Sequence, residues 1–394
     1  MTKTPTPSNA LREASAQIHD DIIIGAGVIG LVIAWRLANA GRRVLVVERH
    51  HPGAGASRAA AGMLAPLAEI DYVEREFLEL KQRSMILWPS FAAELEALTG
   101  IDLDHRTHGT LMVAIDRDDA EDLRRHFDYR QSLGLPVQWL TGPQARQLEP
   151  YLSNRIQAAI DIPSDHQVDN LKLVDALTQA ATRCGATILT QTTVSHINTD
   201  TQTPTAAVHP THHPDQPHTT LRAKDNVILA AGCWSRRVGG LKPSHRPQVR
   251  PVKGQMFSVQ MPQEHVLTRV VRAPEAYLVP RSDGRLIIGA TCEEKGFDDR
   301  LTAGGLFDVL RGAYETLPIV YELEFLKTWV GLRPGTLDNE PIIARSQTPG
   351  VIFATGHYRN GILLTPVTGA LVLEMVLGGW KGADGKVGET FTSP

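Results

Sequence analysis

Gly25, Gly27 and Gly30 stand at the spacing Gly-x-Gly-x-x-Gly, between an apolar run at residues 22–24 and a helical pattern at residues 31–40. Residues so spaced can hold a pyrophosphate. Gly25 allows the tight turn, Gly27 lets the backbone approach the phosphates, and Gly30 lets the helix pack on the strand. The helix start offers free N–H groups and a positive dipole end. A second strand-like run, residues 43–47, leads into Glu48. That carboxylate lies roughly 20 residues on, where an acid takes hydrogen bonds from ribose hydroxyls and repels a 2′-phosphate. Glycine-rich turns also arise by chance, but here strand, helix, second strand and acid follow in order. The chemistry is that of a dinucleotide cofactor. Further along, residues 53–66 are dominated by glycine and alanine. Small side chains let a backbone run beside a flat ring, so this stretch is a candidate for its wall; a small-residue helix start packed on the sheet is the alternative.

The elements that must position these residues follow from periodicity. Residues 77–98 and 168–181 read as amphipathic helices, and residues 186–189 and 192–197 as strands. Residues 227–231 read as a buried strand ended by Gly232, as a chain does when it turns beneath a cofactor. Residues 248–329 carry strand-like runs separated by turns such as Ser282-Asp283-Gly284, the texture of an antiparallel sheet. Residues 351–364 again read as strand, glycine turn and helix. The expected fold class is α/β and α+β: a Rossmann-like dinucleotide domain with an inserted antiparallel-sheet substrate domain. Residues 1–18 are expected to form a disordered tail. The nucleotide domain is assigned to residues 19–95, 155–240 and 335–394, and the substrate domain to residues 96–154 and 241–334. Between strands, residues 199–220 hold His209, His212, His213 and His218. The interspersed prolines leave no regular element to fix the imidazoles, so a solvated loop is expected in place of a metal site.

Composition narrows the partners. The 394 residues carry a formal net charge of -3 without a basic run, which argues against nucleic acid. Three cysteines, Cys184, Cys233 and Cys292, are widely spaced and lack CxxC pairing, which favours a reducing compartment. No stretch is long and apolar enough to span a bilayer, and the first residues lack the apolar core of a signal peptide. A cytoplasmic location is expected.

Six blocks in order, residues 57–64, 251–255, 277–281, 289–291, 331–336 and 356–364, resemble the D-amino-acid oxidase and sarcosine oxidase superfamily of FAD enzymes, and within it the glycine oxidase type of the thiamin-thiazole pathway. The resemblance runs over residues 21–380. It implies FAD contacts at Val28, Ile29, Glu48, Arg49, Ala56, Ser57 and Ala61 to Met63, with Val194 at the adenine end. His357, Tyr358, Arg359, Asn360, Gly361, Ile362 and Leu363 would wrap the flavin pyrimidine, where a helix start stabilises the charge of the reduced ring. It also implies that Arg333 and Tyr277 clamp a substrate carboxylate, with Arg359 and Met63 beside it. A guanidinium suits that task through two parallel hydrogen bonds. By residue type alone, Arg333 could instead be a loop arginine paired with Asp338 or Glu340, Tyr277 a half-buried strand residue, Arg359 a loop brace and Met63 core packing. No acid–base pair stands out in these blocks, and His357 is the single histidine among them. The implied reaction is oxidation of a small amino acid with reoxidation by O2, on non-covalent FAD, since the two C-terminal blocks lack cysteine, and in a homotetramer. Rival readings are a D-amino-acid or sarcosine oxidase, a dehydrogenase passing electrons to a quinone, an NAD-dependent dehydrogenase, and a flavin-bearing subunit without turnover.

Overall fold

A computed structural model describes residues 7–70, 75–199, 203–262 and 266–378. Two eight-stranded sheets carry the architecture. In the first, parallel neighbours run in the order Thr187–Leu189, Val44–Val47, Ile18–Ile24, Thr219–Leu229 and Val351–Thr355. Ile342–Arg345 closes one edge antiparallel. Burial on both faces explains the unbroken apolar runs: Ile23, Val44 and Val46 face one core, and Ile22, Ile24, Leu45 and Val47 the other. The helices Val28–Asn39, Arg75–Thr99, Asn170–Arg183 and Thr365–Leu377 cover the first of these faces.

On the opposite face, Thr192–Asn198 and Thr205–Pro210 form an antiparallel ribbon with Thr219–Leu229. This corrects the expected loop. Residues Thr205 to Val208 are buried strand, and the exposed turn is confined to residues 211–218. The expected disordered tail is also corrected, because Pro7–Ala16 is a helix whose Leu11 and Ala14 join the core of this face. Residues 1–6 lie outside the described residues, as does the last part of the chain assigned to the nucleotide domain, residues 379–394.

The second sheet runs Glu324–Gly335, Arg250–Gln260, Arg285–Gly289, Tyr277–Pro280, Val270–Arg272, Thr110–Ala114, Ala158–Ile162 and Gln138–Thr141. It is antiparallel except where Val270–Arg272 meets Thr110–Ala114 in parallel. Ala158–Ile162 therefore belongs to this sheet and not to the nucleotide domain, which moves the expected boundary at residue 155. One face carries Phe257, Val259, Leu278 and Ile288 against the helix Ala303–Thr316. The other turns Met256, Val279 and Ile287 toward the small-residue run through Ala61 and Met63.

Candidate active site

A cavity of about 1180 Å3 runs from the turn at Gly25 to the inner face of the second sheet. Gly25 has φ +104°, a left-handed conformation that side chains resist, and a Cβ there would meet the Ala230 carbonyl oxygen at 2.6 Å. A Cβ at Gly30 would lie 1.9 Å from the Gly25 carbonyl oxygen. Gly30 therefore serves helix packing and does not line the cavity. The helix that follows has no side-chain cap from Gly27 itself; its Val28 N–H donates to Ser57 Oγ at 3.0 Å, and Gly27, Val28 and Ile29 line the cavity at the helix N-terminus. Glu48 is held at the cavity edge by the backbone N–H groups of Ala26, 2.8 Å, and His50, 2.9 Å. The Arg49 guanidinium lies 4.5 Å from the centroid of the Trp234 ring, and Val194 and Gly232 complete this end.

Toward the second sheet, Ala56, Ser57, Ala61, Gly62 and Met63 line one wall. The Ala59 carbonyl accepts from Trp329 Nε1 at 3.0 Å, and buried Arg281 donates to the carbonyl of Ala61 and, at 2.9 Å, to Gln167. These bonds pin the small-residue run to the sheet. His357, Tyr358, Arg359, Gly361 and Ile362 line the facing wall. Asn360 and Leu363 do not; both are buried, and the Leu363 carbonyl accepts from Ser84 and Trp88 of the long helix. The expected helix start near Gly361 becomes a hydrogen-bonded turn, Leu364 N–H to Asn360 carbonyl, before the helix at Thr365. His357 is buried with Nε2 3.0 Å from Thr368 Oγ1, and burial pushes its pKa down to about 3. A neutral ring so placed braces the turn and is no base at ordinary pH.

Cross-strand register builds the polar end. Met256 pairs with both Gly289 and Trp329, Gly289 with Tyr277, and Gly254 with Gly331. Residues directly opposite, and those two apart on one strand, share a face. Tyr277, Met256, Trp329 and Arg333 are thus gathered on one side. Arg333 lies in a strand, not in the loop that pairing with Asp338 or Glu340 supposed. Its Nη1 donates to the carbonyls of Lys253, 3.3 Å, and Thr291, 3.1 Å. Two glycines make room for these side chains. A Cβ at Gly254 would sit 2.5 Å from the Arg333 guanidinium, and one at Gly289 would sit 2.6 Å from the Tyr277 hydroxyl. Burial raises the Tyr277 pKa even against Arg333, so the hydroxyl stays a neutral donor.

Sequence reasoning missed Glu69, and no spacing signal marks it. Its side chain lines the cavity at 11% exposure, with Oε1 2.8 Å from Arg272 Nη1 and Oε2 3.7 Å from Arg359 Nη1. Burial would raise its pKa, but Arg272, Arg359, Lys81 and Arg333 outweigh that and hold it ionised. A carboxylate does therefore face the pocket, though it is committed to arginines. Cys292 also lines the cavity, its Sγ 3.5 Å from the Tyr358 hydroxyl and 3.7 Å from Arg359. Burial raises its pKa, and those two partners pull it below the usual thiol value. No group of three or more metal-ligating side chains occurs among the described residues, and no described helix is long and apolar enough to cross a membrane.

These features fit an FAD: a helix N-terminus, the acid Glu48, a small-residue wall and a flanking turn all line one cavity. The family described as FAD dependent oxidoreductase matches residues 20–375. The chain is 38% identical over 363 residues to a glycine oxidase of Geobacillus kaustophilus, covering 91% of this chain and 93% of that one. It is 35% identical to the bifunctional protein ThiO/ThiG of Trichormus variabilis, covering 91% of this chain and 53% of that longer one. The crystal structure of glycine oxidase from Geobacillus kaustophilus superposes with a TM-score of 0.86 at 36% identity, over 93% of this chain and 96% of that one. Cavity, fold and sequence agree, and the chain belongs to the FAD dependent oxidoreductase family.

Proposed function

We propose that the protein oxidises glycine, and other small amines such as sarcosine or D-alanine, to the corresponding imine, which hydrolyses to the oxo acid and ammonia or, for N-methyl substrates, methylamine. The observation that carries this reading is the convergence of Arg333 and Tyr277 on the cavity end where the small-residue wall meets the second sheet. A guanidinium and a neutral phenol there bind one carboxylate and orient the α-carbon. FAD held here non-covalently would supply the two-electron oxidation of that carbon, with O2 as the final acceptor and hydrogen peroxide as its product. The chain's own part is positioning. Arg333 and Tyr277 fix the carboxylate, Met63 and Met256 exclude water, and the substrate amine enters neutral, so no protein base is required. The cavity continues past Tyr277 to Glu275, Gly304 and Asp308, which supports amines larger than glycine. The ThiO/ThiG relative, about half of whose length this chain matches, supports coupling of the product to a second activity, which we assign to thiamin thiazole assembly. We also place the enzyme in the cytoplasm, on its three free cysteines, as a homo-oligomer.

The test is peroxide release with glycine, sarcosine and D-alanine, together with Arg333→Ala. Losing two charge-assisted hydrogen bonds should raise KM for glycine roughly 100-fold or more while the flavin spectrum is unchanged. An unchanged KM removes Arg333 from the substrate site. Flavin bleaching without peroxide assigns a dehydrogenase.

A further inference from the structure

The substrate end of the cavity holds more positive charge than one carboxylate needs. Arg333, Arg272 and Arg359 all line it. Among the described residues Arg333 pairs with no carboxylate, whereas Arg272 and Arg359 share Glu69. The acid is close enough to Arg333 and Tyr277 for its charge to be felt at both. Its place does not depend on the arginines alone. Buried Asp165 accepts from the N–H groups of Leu67, 3.2 Å, and Ala68, 3.1 Å. Buried Arg130 donates to the carbonyls of Leu67, Ala68 and Ile70 at 2.9, 3.1 and 3.2 Å. The turn at residues 66–69 is thus clasped through its donors and acceptors, and Glu69 is presented at the pocket wall. Burying a carboxylate in this way is unfavourable unless it is matched, and here two of the three arginines share it.

We propose that Glu69 is a specificity-determining residue that restricts the site to amines bearing a single carboxylate. By masking Arg272 and Arg359 it leaves Arg333 as the cation that seizes the substrate, so the carboxylate binds in one orientation. It also repels a second acidic group from that side of the pocket. This is discrimination by a repulsive element built against the wrong ligand. With Glu69 neutral, Arg272 and Arg359 become a second anion site, suited to an amine dicarboxylate such as iminodiacetate. The inference rests on the small-amino-acid reading above.

The test titrates the FAD-loaded enzyme with acetate and succinate, neither of which has an amine to oxidise, following the visible flavin spectrum. In Glu69→Gln, affinity for succinate relative to acetate should rise about tenfold or more over wild type, and kcat/KM for iminodiacetate should rise relative to glycine. Glu69→Asp, which keeps the charge, should hold the wild-type ratio. Arg272→Met leaves Glu69 less compensated and should move the ratio the other way. A succinate-to-acetate ratio within about twofold of wild type in Glu69→Gln overturns the proposal, as does an equal change for both ligands, which would make the acid structural. If Glu69→Gln does not retain FAD, Arg272→Met decides alone, and an unchanged or increased preference for succinate is the overturning result. Failure of the parent reading looks different: wild-type flavin stays oxidised with glycine while the charge-dependent ratio persists.

Discussion

Arg333 and Tyr277 owe their usefulness to residues that have no side chain. Gly254 and Gly289 leave the space into which the guanidinium and the phenol fold. The atoms that a Cβ at Gly254 would strike belong to the far end of a flexible side chain, so the backbone has no need to move. Gly254→Ala should therefore displace Arg333 with little loss of stability. We expect KM for glycine to rise about tenfold or more, with Tm within a few degrees of wild type and full flavin content. Steady-state kinetics and the absorbance ratio at protein and flavin bands check this. An unchanged KM would show that the guanidinium works from elsewhere. The same logic separates His357 from the reacting atoms, since its ring is taken up by Thr368.

At the scale of elements, the turn at residues 66–69 carries the most electrostatic tension. Burial raises the Asp165 pKa to about 7, against the two N–H donors that lower it. Between the unfolded carboxyl's ordinary pKa near 4 and the folded value, the native state holds a proton that the unfolded chain has lost, so stability falls as pH rises through that window. Half-buried His166, pushed down to about 4, works in the opposite sense: its folded state resists protonation, so stability falls as pH drops below the ordinary histidine range. Asp165→Asn removes the first effect and leaves the second. Thermal melts should show wild type losing more Tm between pH 5 and pH 8 than the variant loses. Parallel losses in the two proteins would mean that Asp165 stays ionised across the range.

Across the whole molecule, several large apolar side chains among the described residues stay exposed on and after the helix Ala303–Thr316. Phe307 and Tyr314, 60% and 48% exposed, stand on the helix Ala303–Thr316, with Tyr321 and Phe325 at 81% and 50% on the segment that follows. Phe325 lies on an edge strand of the second sheet. Clustered aromatics of this kind mark a contact surface, and they support the homo-oligomer proposed above. Replacing Phe307 and Tyr321 by Glu should shift sedimentation velocity from oligomer to monomer while flavin content is kept. A wild-type protein that sediments as a monomer at micromolar concentration would discard the oligomer.

The cofactor end was legible because it is local. Strand, glycine turn, helix and acid occupy residues 22–48 in one continuous stretch, and Gly30 answers to a contact inside it, although the tight space at Gly25 is set by Ala230 from a distant strand. The proposed substrate end rests on the resemblance, since Tyr277 and Arg333 sit on separate strands and nothing in their spacing requires them to meet. Register across the second sheet brings them to one face, and that register is set by pairing over the whole sheet. The ribbon at residues 205–210 escaped notice because its prolines and histidines read as loop, while pairing on both sides makes it strand. Glu69 was decided by tertiary structure altogether. A lone acid beyond a run of small residues has no periodic or spacing signature, and its role exists only once Asp165, Arg130, Arg272 and Arg359, drawn from distant parts of the chain, have closed around it. The sequence by itself determined that a dinucleotide would be held; the fold decided which charges face the cavity, because ion pairing depends on distance in space and not along the chain.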